Sequence, residues 1–441
     1  MTSGRLHNIR QAELSLLISV LLMKCVLFYV RLGKIYGEDS SSFIKTMAKY
    51  RKTGILPDLK YSLTSYHPPG SFMLVKTVAE STGFSDVIAT QIISFCSMLG
   101  AFFLLRALLK QIDVLYTPVG ITFLYTIALL PILLNLSMAS TYDSQVFFLG
   151  MLALYLSIDL FWNQDDFSLR NTYTLFVCAL LIGTLFIGLM TKFTGLLFCS
   201  FPFIVILVRW KKEVAAKQIA TALLICAMAG VSAMPYYYVR YYKQTGDWIP
   251  SPMEWLTPKN FAAAKMERDK HKLKIILEFI TIPTINFAGK NEITTSLMYD
   301  TWYDVWKNDA RHKSTLLKLV PEILVHATIP VFLFGLFSFL WHQRKRGPPL
   351  SDFGWILTGC AAVFILANLY FGYQNPYFPW RVFKAKYSPL TIVWIAYIFA
   401  VGSCALSEKF HTYFHGRKSG LSFVKLAAVL ALISHTSEVM P

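Results

Sequence analysis

Charge is scarce in this sequence. Only 15% of the 441 residues are Asp, Glu, Lys or Arg, while 55% are hydrophobic. A soluble globular domain carries about 25% charged residues, so a soluble enzyme is excluded. Acidic residues are the scarcer sign, 25 against 42 Lys and Arg, for a net charge of +17. The basic excess falls in short clusters between apolar blocks rather than along one continuous face, which speaks against nucleic acid and for membrane topology with anionic lipid. None of the seven cysteines lies in a long polar stretch or at metal-ligand spacing, so a disulfide framework is not expected. No small-residue cleavage site follows the first apolar stretch, Ala12 to Val30, which therefore reads as a retained span. Internal repeats and low-complexity tracts are absent too.

What is present is apolar sequence in blocks long enough to cross a hydrocarbon core of about 30 Å. They occupy residues 12–31, 86–109, 118–137, 144–162, 172–190, 194–209, 215–236, 318–341, 351–371, 386–406 and 420–436. Trp162, Trp210 and Trp341 stand at block edges, where amphipathic rings prefer the headgroup layer. The pattern predicts an all-α polytopic membrane protein of about eleven transmembrane helices, a single membrane domain over residues 1–441.

Residues 67–83 are the ambiguous stretch, short and carrying Lys76 and Glu80. If they do not cross, the clusters at Arg106 and Lys110, Arg170, Arg209 to Lys217, Arg344 to Arg346 and Lys409 to Lys418 all share the side of the amino terminus. That satisfies the positive-inside rule at every such turn, so 67–83 is read as re-entrant or interfacial and the amino terminus as cytoplasmic. Residues 32–85, 138–143, 237–317 and 372–385 then lie outside. The first of these holds Lys34, Lys45, Lys49, Arg51, Lys52 and Lys60, against the rule, and is read as an anion site.

Candidate chemistry concentrates in the outer stretches. Glu38 and Asp39 precede a helical repeat of Phe43, Ile44, Met47 and Tyr50, an amphipathic helix lying on the membrane. From these residues alone, helix capping by Asp39 with favourable macrodipole electrostatics is preferred to catalysis. The same holds for Asp143 in STYDSQ. Lys192, and the trio Arg381, Lys384 and Lys386, read equally as interfacial anchors. Asp300 and Trp302, in MYDTWYDVWKND, suit stacking on a sugar face or packing on the bilayer surface.

The first loop resembles that of the GT-C glycosyltransferases, the protein O-mannosyltransferase and lipid A aminoarabinose transferase group, at Glu38, Asp39, Phe43, Gly54 and His67-Pro68-Pro69. Asp143 stands where that superfamily carries a second acidic residue, and LMTKFTGLL, with Lys192, resembles a segment of bacterial members. RVFKAKYSPL resembles a Lys-x-Arg-Tyr-x-x-Pro pattern, with Lys386 in place of the Arg and Ser388 entering. The His-Pro-Pro segment lacks the Lys that aminoarabinose transferases place after the His, which counts against that substrate.

The resemblance implies a GT-C type bundle with juxtamembrane helices in the first outer loop. It implies inverting transfer of a hexose or pentose from a polyprenyl-phosphate donor to a glycan, lipid or protein acceptor on the non-cytoplasmic side. Asp39 would be the general base, Glu38 and Asp143 would orient the acceptor, and Lys192, Arg381, Lys384 and Lys386 would bind phosphate. His67, Asp300 and Trp302 would contact substrate. A divalent cation is left open, with Asp39 and Asp143 as its holders. A bacterial plasma membrane is the favoured location and the endoplasmic reticulum the alternative.

A transporter or flippase of a lipid-linked or anionic substrate is the competing class, disfavoured by the lack of repeated halves. A non-catalytic subunit of the same fold is the third. The topology itself is open to test: a reporter fused after Lys212 should be cytoplasmic and one fused after Asp300 non-cytoplasmic, and the reverse pattern would refute the charge parity.

Overall fold

The computed structural model describes residues 3–37, 39–62, 64–162, 167–210, 215–249, 315–341, 348–374 and 388–413, with isolated positions 262 and 266. Every regular element among them is helical. The chain begins with α1 (Ser3–Arg31), whose carboxyl end leads to α2 (Ser40–Thr53) and α3 (Gly70–Thr82). Then follow α4 (Asp86–Gln111), α5 (Pro118–Leu129), α6 (Pro131–Leu136), α7 (Asp143–Phe161) and α8 (Thr172–Thr191). A tight 3-10 helix, Phe193–Ser200, leads into α9 (Phe201–Val208), and α10 (Ala215–Tyr237) ends in a π-helical turn, Tyr238–Tyr242, and the short α11 (Lys243–Thr245). The last three are α12 (Thr315–Trp341), α13 (Pro348–Gln374) and α14 (Pro389–Tyr413).

Seven of these helices are long and apolar enough to cross a membrane, and Pro118–Leu129, Phe193–Val208 and Thr328–Trp341 are shorter apolar stretches. The protein is an integral, multi-pass, all-α membrane protein. Ten of the eleven anticipated spans thus coincide with apolar helical segments, while 420–436 lies outside the described residues. α3, at 13 residues, is about 20 Å long, too short to cross, in keeping with an interfacial segment.

The span expected over 118–137 is broken. Leu130 takes an extended ψ of 124° ahead of Pro131, because a residue before proline is pushed out of the helical region and proline has no N–H to donate. Helix starts follow local rules. Ser85 accepts from the Ile88 amide, Thr117 from Gly120 and Asn171 from Tyr173, each satisfying an amide with no partner inside its helix.

α7 and α14 form the centre and are the most deeply buried of the long apolar helices. α7 packs against α4, α8 and α9, and α14 against α5, α12 and α13. Several polar side chains of the bundle pair with one another: Arg106 Nε donates to Glu13 at 2.5 Å, and Asp159 accepts from Gln111 and Tyr173. Asp159 is therefore occupied structurally, as expected for a carboxylate near a span end.

α12 and α14 touch backbone to backbone. A Cβ on Gly335 would lie 2.1 Å from the Ile398 carbonyl oxygen, and one on Gly402 would lie 2.2 Å from that of Val331. Helix association in lipid rests on such close contacts between small residues. Gly402→Val should therefore lower the thermal midpoint in detergent, by a destabilisation of about 1–3 kcal/mol. Gly183→Ala, where an added Cβ meets nothing within 4 Å, should leave the midpoint unchanged or raised; equal loss in both variants would rule the contact out.

Candidate functional site

Residues 138–143, expected as a short turn outside the membrane, are buried throughout. A buried turn needs partners for its backbone, and side chains of α4 supply them. Ser94 Oγ donates to the Ala139 carbonyl at 2.7 Å, and the Gln91 amide reaches Met138 O at 3.4 Å. The same Gln91 Nε2 donates to the carbonyls of Arg31 and Lys34, while its oxygen accepts from the Gly33 amide. One glutamine thus ties the outer end of α1 to the turn.

The stretch that follows α1 is seated on that turn. The Ser140 amide donates to Tyr36 O at 2.8 Å, and Tyr36 OH to Asn135 Oδ1 at 2.8 Å. Gly37 has φ +108°, and a Cβ there would be 2.7 Å from Ser40 Oγ and 3.3 Å from Ala139 Cβ. Only glycine fits both that conformation and that approach. Two residues later stands Asp39, immediately before α2. Its carboxylate makes no capping hydrogen bond to α2, so the capping explanation does not account for it. Phe43, on the buried face of α2, stacks on Phe72 at 4.8 Å and meets the Tyr142 ring edge-on at 5.6 Å.

Asp143 opens α7 with a side chain 2% exposed, and Lys192 Nζ donates to its Oδ1 at 2.7 Å from a side chain 7% exposed. Thr141 Oγ1 donates to the other carboxylate oxygen at 3.3 Å. A snorkelling lysine is thereby ruled out: Lys192 points inward to a carboxylate. It does so because the chain breaks out of α8 there, Lys192 adopting φ −158°, ψ 149°. The chain then doubles back so tightly that a Cβ on Gly195 would lie 2.2 Å from the Gly188 carbonyl.

Tyr142 sits between Lys192 and His67, its ring centroid 4.9 Å from the ammonium and 4.5 Å from the imidazole ring. The His-Pro-Pro-Gly segment lies against the end of α8, where a Cβ on Gly70 would be 2.6 Å from Met190 O. Ser71 Oγ then donates to Gln145 Oε1 at 2.8 Å, linking α3 to α7.

A clamp that sequence reading did not anticipate holds the loop from the other side. Arg240, on the π-helical turn, donates to the carbonyls of Leu56, Pro57 and Ser65, and Tyr241 OH donates to Tyr66 O at 2.8 Å. Tyr237 OH bonds Leu189 O at 2.8 Å, and Phe193 packs on the rings of Tyr237 and Tyr241. The available signal was the run PYYYVRYY, Pro235 to Tyr242, which straddles the expected span end at 236 and the start of the outer stretch at 237.

The structure therefore gathers Asp143, Lys192 and His67 around Tyr142 and seats the Asp39 segment against the same turn. Glu38, Asp300, Trp302, Arg381, Lys384 and Lys386 lie outside the described residues. Among the described residues no cluster of three His, Cys, Asp or Glu side chains could hold a metal ion. The cation beside Asp143 is the Lys192 ammonium.

No protein-family profile and no curated protein sequence matches the chain. Solved structures do. ArnT from Cupriavidus metallidurans bound to undecaprenyl phosphate superposes with a TM-score of 0.50 at 12% identity, over 90% of this chain and 60% of that one. The apo oligosaccharyltransferase of Archaeoglobus fulgidus gives 0.54 at 12% identity, over 96% and 55%. The same organism's AglB, in complex with an inhibitory peptide and a dolichol-phosphate, gives 0.50 at 11% identity, over 97% and 56%. The chain thus spans somewhat more than half the length of these proteins. These superpositions show that the chain shares the fold of those proteins, the GT-C type all-α membrane bundle.

Proposed function

We propose that the protein is a membrane glycosyltransferase that moves a sugar, with inversion, from a polyprenyl-phosphate donor to an acceptor on the non-cytoplasmic face of a bacterial plasma membrane. The observation that carries this reading is the buried Asp143–Lys192 pair, at 2.7 Å, beneath the loop that presents Asp39. Two of the neighbours were captured with undecaprenyl phosphate or a dolichol-phosphate, and this chain is proposed to take a donor of that kind. The acceptor is a glycan, a lipid or a protein segment.

Sugar transfer needs a base for the acceptor hydroxyl and cations for the phosphate that leaves, because negative charge grows there in the transition state. Asp39 is the proposed base: it stands immediately before α2, two residues beyond Gly37, on the stretch whose Tyr36 carbonyl is bonded to the Ser140 amide. Acting there, it takes the hydroxyl proton as the acceptor oxygen attacks the anomeric carbon and the bond to phosphate breaks. Lys192 is the proposed phosphate ligand. A lysine ammonium carries three N–H donors, so one lysine can hold a carboxylate and a phosphate oxygen together. Asp143 pairs with that ammonium at 2.7 Å and fixes its position. Arg381, Lys384 and Lys386 would add further phosphate contacts, Glu38 would orient the acceptor, and His67, Asp300 and Trp302 would line the sugar. No step is routed through a divalent cation.

Two measurements test these roles. With polyprenyl-phosphate sugars as donors, Asp39→Asn should lower turnover by roughly 10²–10⁴-fold while donor binding persists; a fully active variant removes Asp39 from the chemistry. Lys192→Met strands a buried carboxylate and should destabilise by about 3–5 kcal/mol. The double variant Asp143→Asn/Lys192→Met should regain most of that stability and yet stay inactive. Recovery of activity along with stability would make the pair structural only.

A further inference from the structure

α2 is tied at both ends to the level where neighbouring helices leave the membrane. Its start lies nine residues beyond Arg31, the last residue of α1, and the α1 exit is bonded to Gln91 of α4. Its last turn is held by an ion pair from Arg51 to Asp86, the first residue of α4, at 3.0 Å. A helix held at those two points lies at headgroup depth. Its inward face buries Phe43, Met47 and Tyr50. Lys45, Lys49 and Lys52 recur at helical spacing on the other side, all exposed, and Ile55, just past the helix end, is 74% exposed.

Basic residues on the non-cytoplasmic side run against the usual charge bias, and these three have no carboxylate partner among the described residues. An exposed lysine stripe with an apolar residue beside it, at headgroup depth, is complementary to anionic lipid. We infer that the Lys45–Lys49–Lys52 stripe binds anionic phospholipid headgroups of the outer leaflet. Asp39 is the residue that precedes α2, so lipid held on the stripe fixes the position of the proposed base. The lipid contact stands without the glycosyltransferase reading; its effect on turnover rests on it.

The test is hydrogen exchange of residues 40–53 in the full-length protein, in nanodiscs of phosphatidylcholine alone or with added phosphatidylglycerol, so that the readout needs no catalysis. Each lysine near an anionic surface contributes about fivefold in partitioning, hence about hundredfold for three. Phosphatidylglycerol should slow exchange across α2 in the wild type and leave Lys45→Gln/Lys49→Gln/Lys52→Gln unaffected, while Lys110→Gln, at the opposite end of α4, responds like the wild type. Indifference of the wild type to phosphatidylglycerol, or an equal response in the triple variant, overturns the inference. Protection that follows soluble inositol hexakisphosphate but not phosphatidylglycerol overturns it too, by assigning the stripe to a soluble polyanion. In the same nanodiscs, transfer should rise with phosphatidylglycerol in the wild type only. Lipid-dependent protection without any transfer would leave the lipid contact standing and refute the enzymatic reading.

Discussion

Everything at the outer end of this molecule depends on how the backbone of residues 137–143 is satisfied. Irregular backbone at membrane depth survives only where the protein itself supplies hydrogen-bond partners. Here Ser94, Gln91 and the Tyr36 carbonyl supply them. Because those partners come from α4 and from the start of the first loop, satisfying the turn also fixes where that loop lies. The buried Asp143 is a second demand of the same kind, since a carboxylate out of water needs a countercharge. Lys192 meets it from a break between helices, and the break exists because Gly188 and Gly195 let the chain fold back on itself.

Most of the fold was legible because hydrocarbon thickness dictates span length. The blocks 86–109, 144–162, 172–190 and 351–371 each reappear as a long helix, with ends shifted by a few residues. Charge parity was enough to keep 67–83 from crossing, and α3 is indeed too short to do so. What composition hid was shape within a span. Pro131 splits 118–137, and the stretch after Lys192 starts as a 3-10 helix rather than an α-helix. Hydropathy is blind to both, since it sums side chains and ignores backbone geometry.

The site was legible in part. Asp143 and Lys192 were each picked out alone, and nothing in the sequence said that they form a pair, because 49 residues separate them. The turn around Asp143 looked exposed because Ser, Thr and Asp are polar. In fact it is buried under the first loop, with small side chains such as Ser140 and Ala139 allowing the close approach of Gly37. Gln91 and Arg240 went unnoticed because their partners are main-chain carbonyls, and any sequence presents carbonyls at every position.

The Arg240 clamp also has a bearing on biosynthesis. Its guanidinium joins parts of the chain some 180 residues apart, and chains emerge from the ribosome amino-terminus first. The loop bearing Asp39 and His67 is therefore translated long before the arginine that closes it, and Lys192 is made in between. Until α10 has been inserted, segment 56–66 has none of the bonds that Arg240 and Tyr241 give it. The site is thus completed by the later elements, and a chain stopped short of α10 carries the Asp39 loop in an unfinished form.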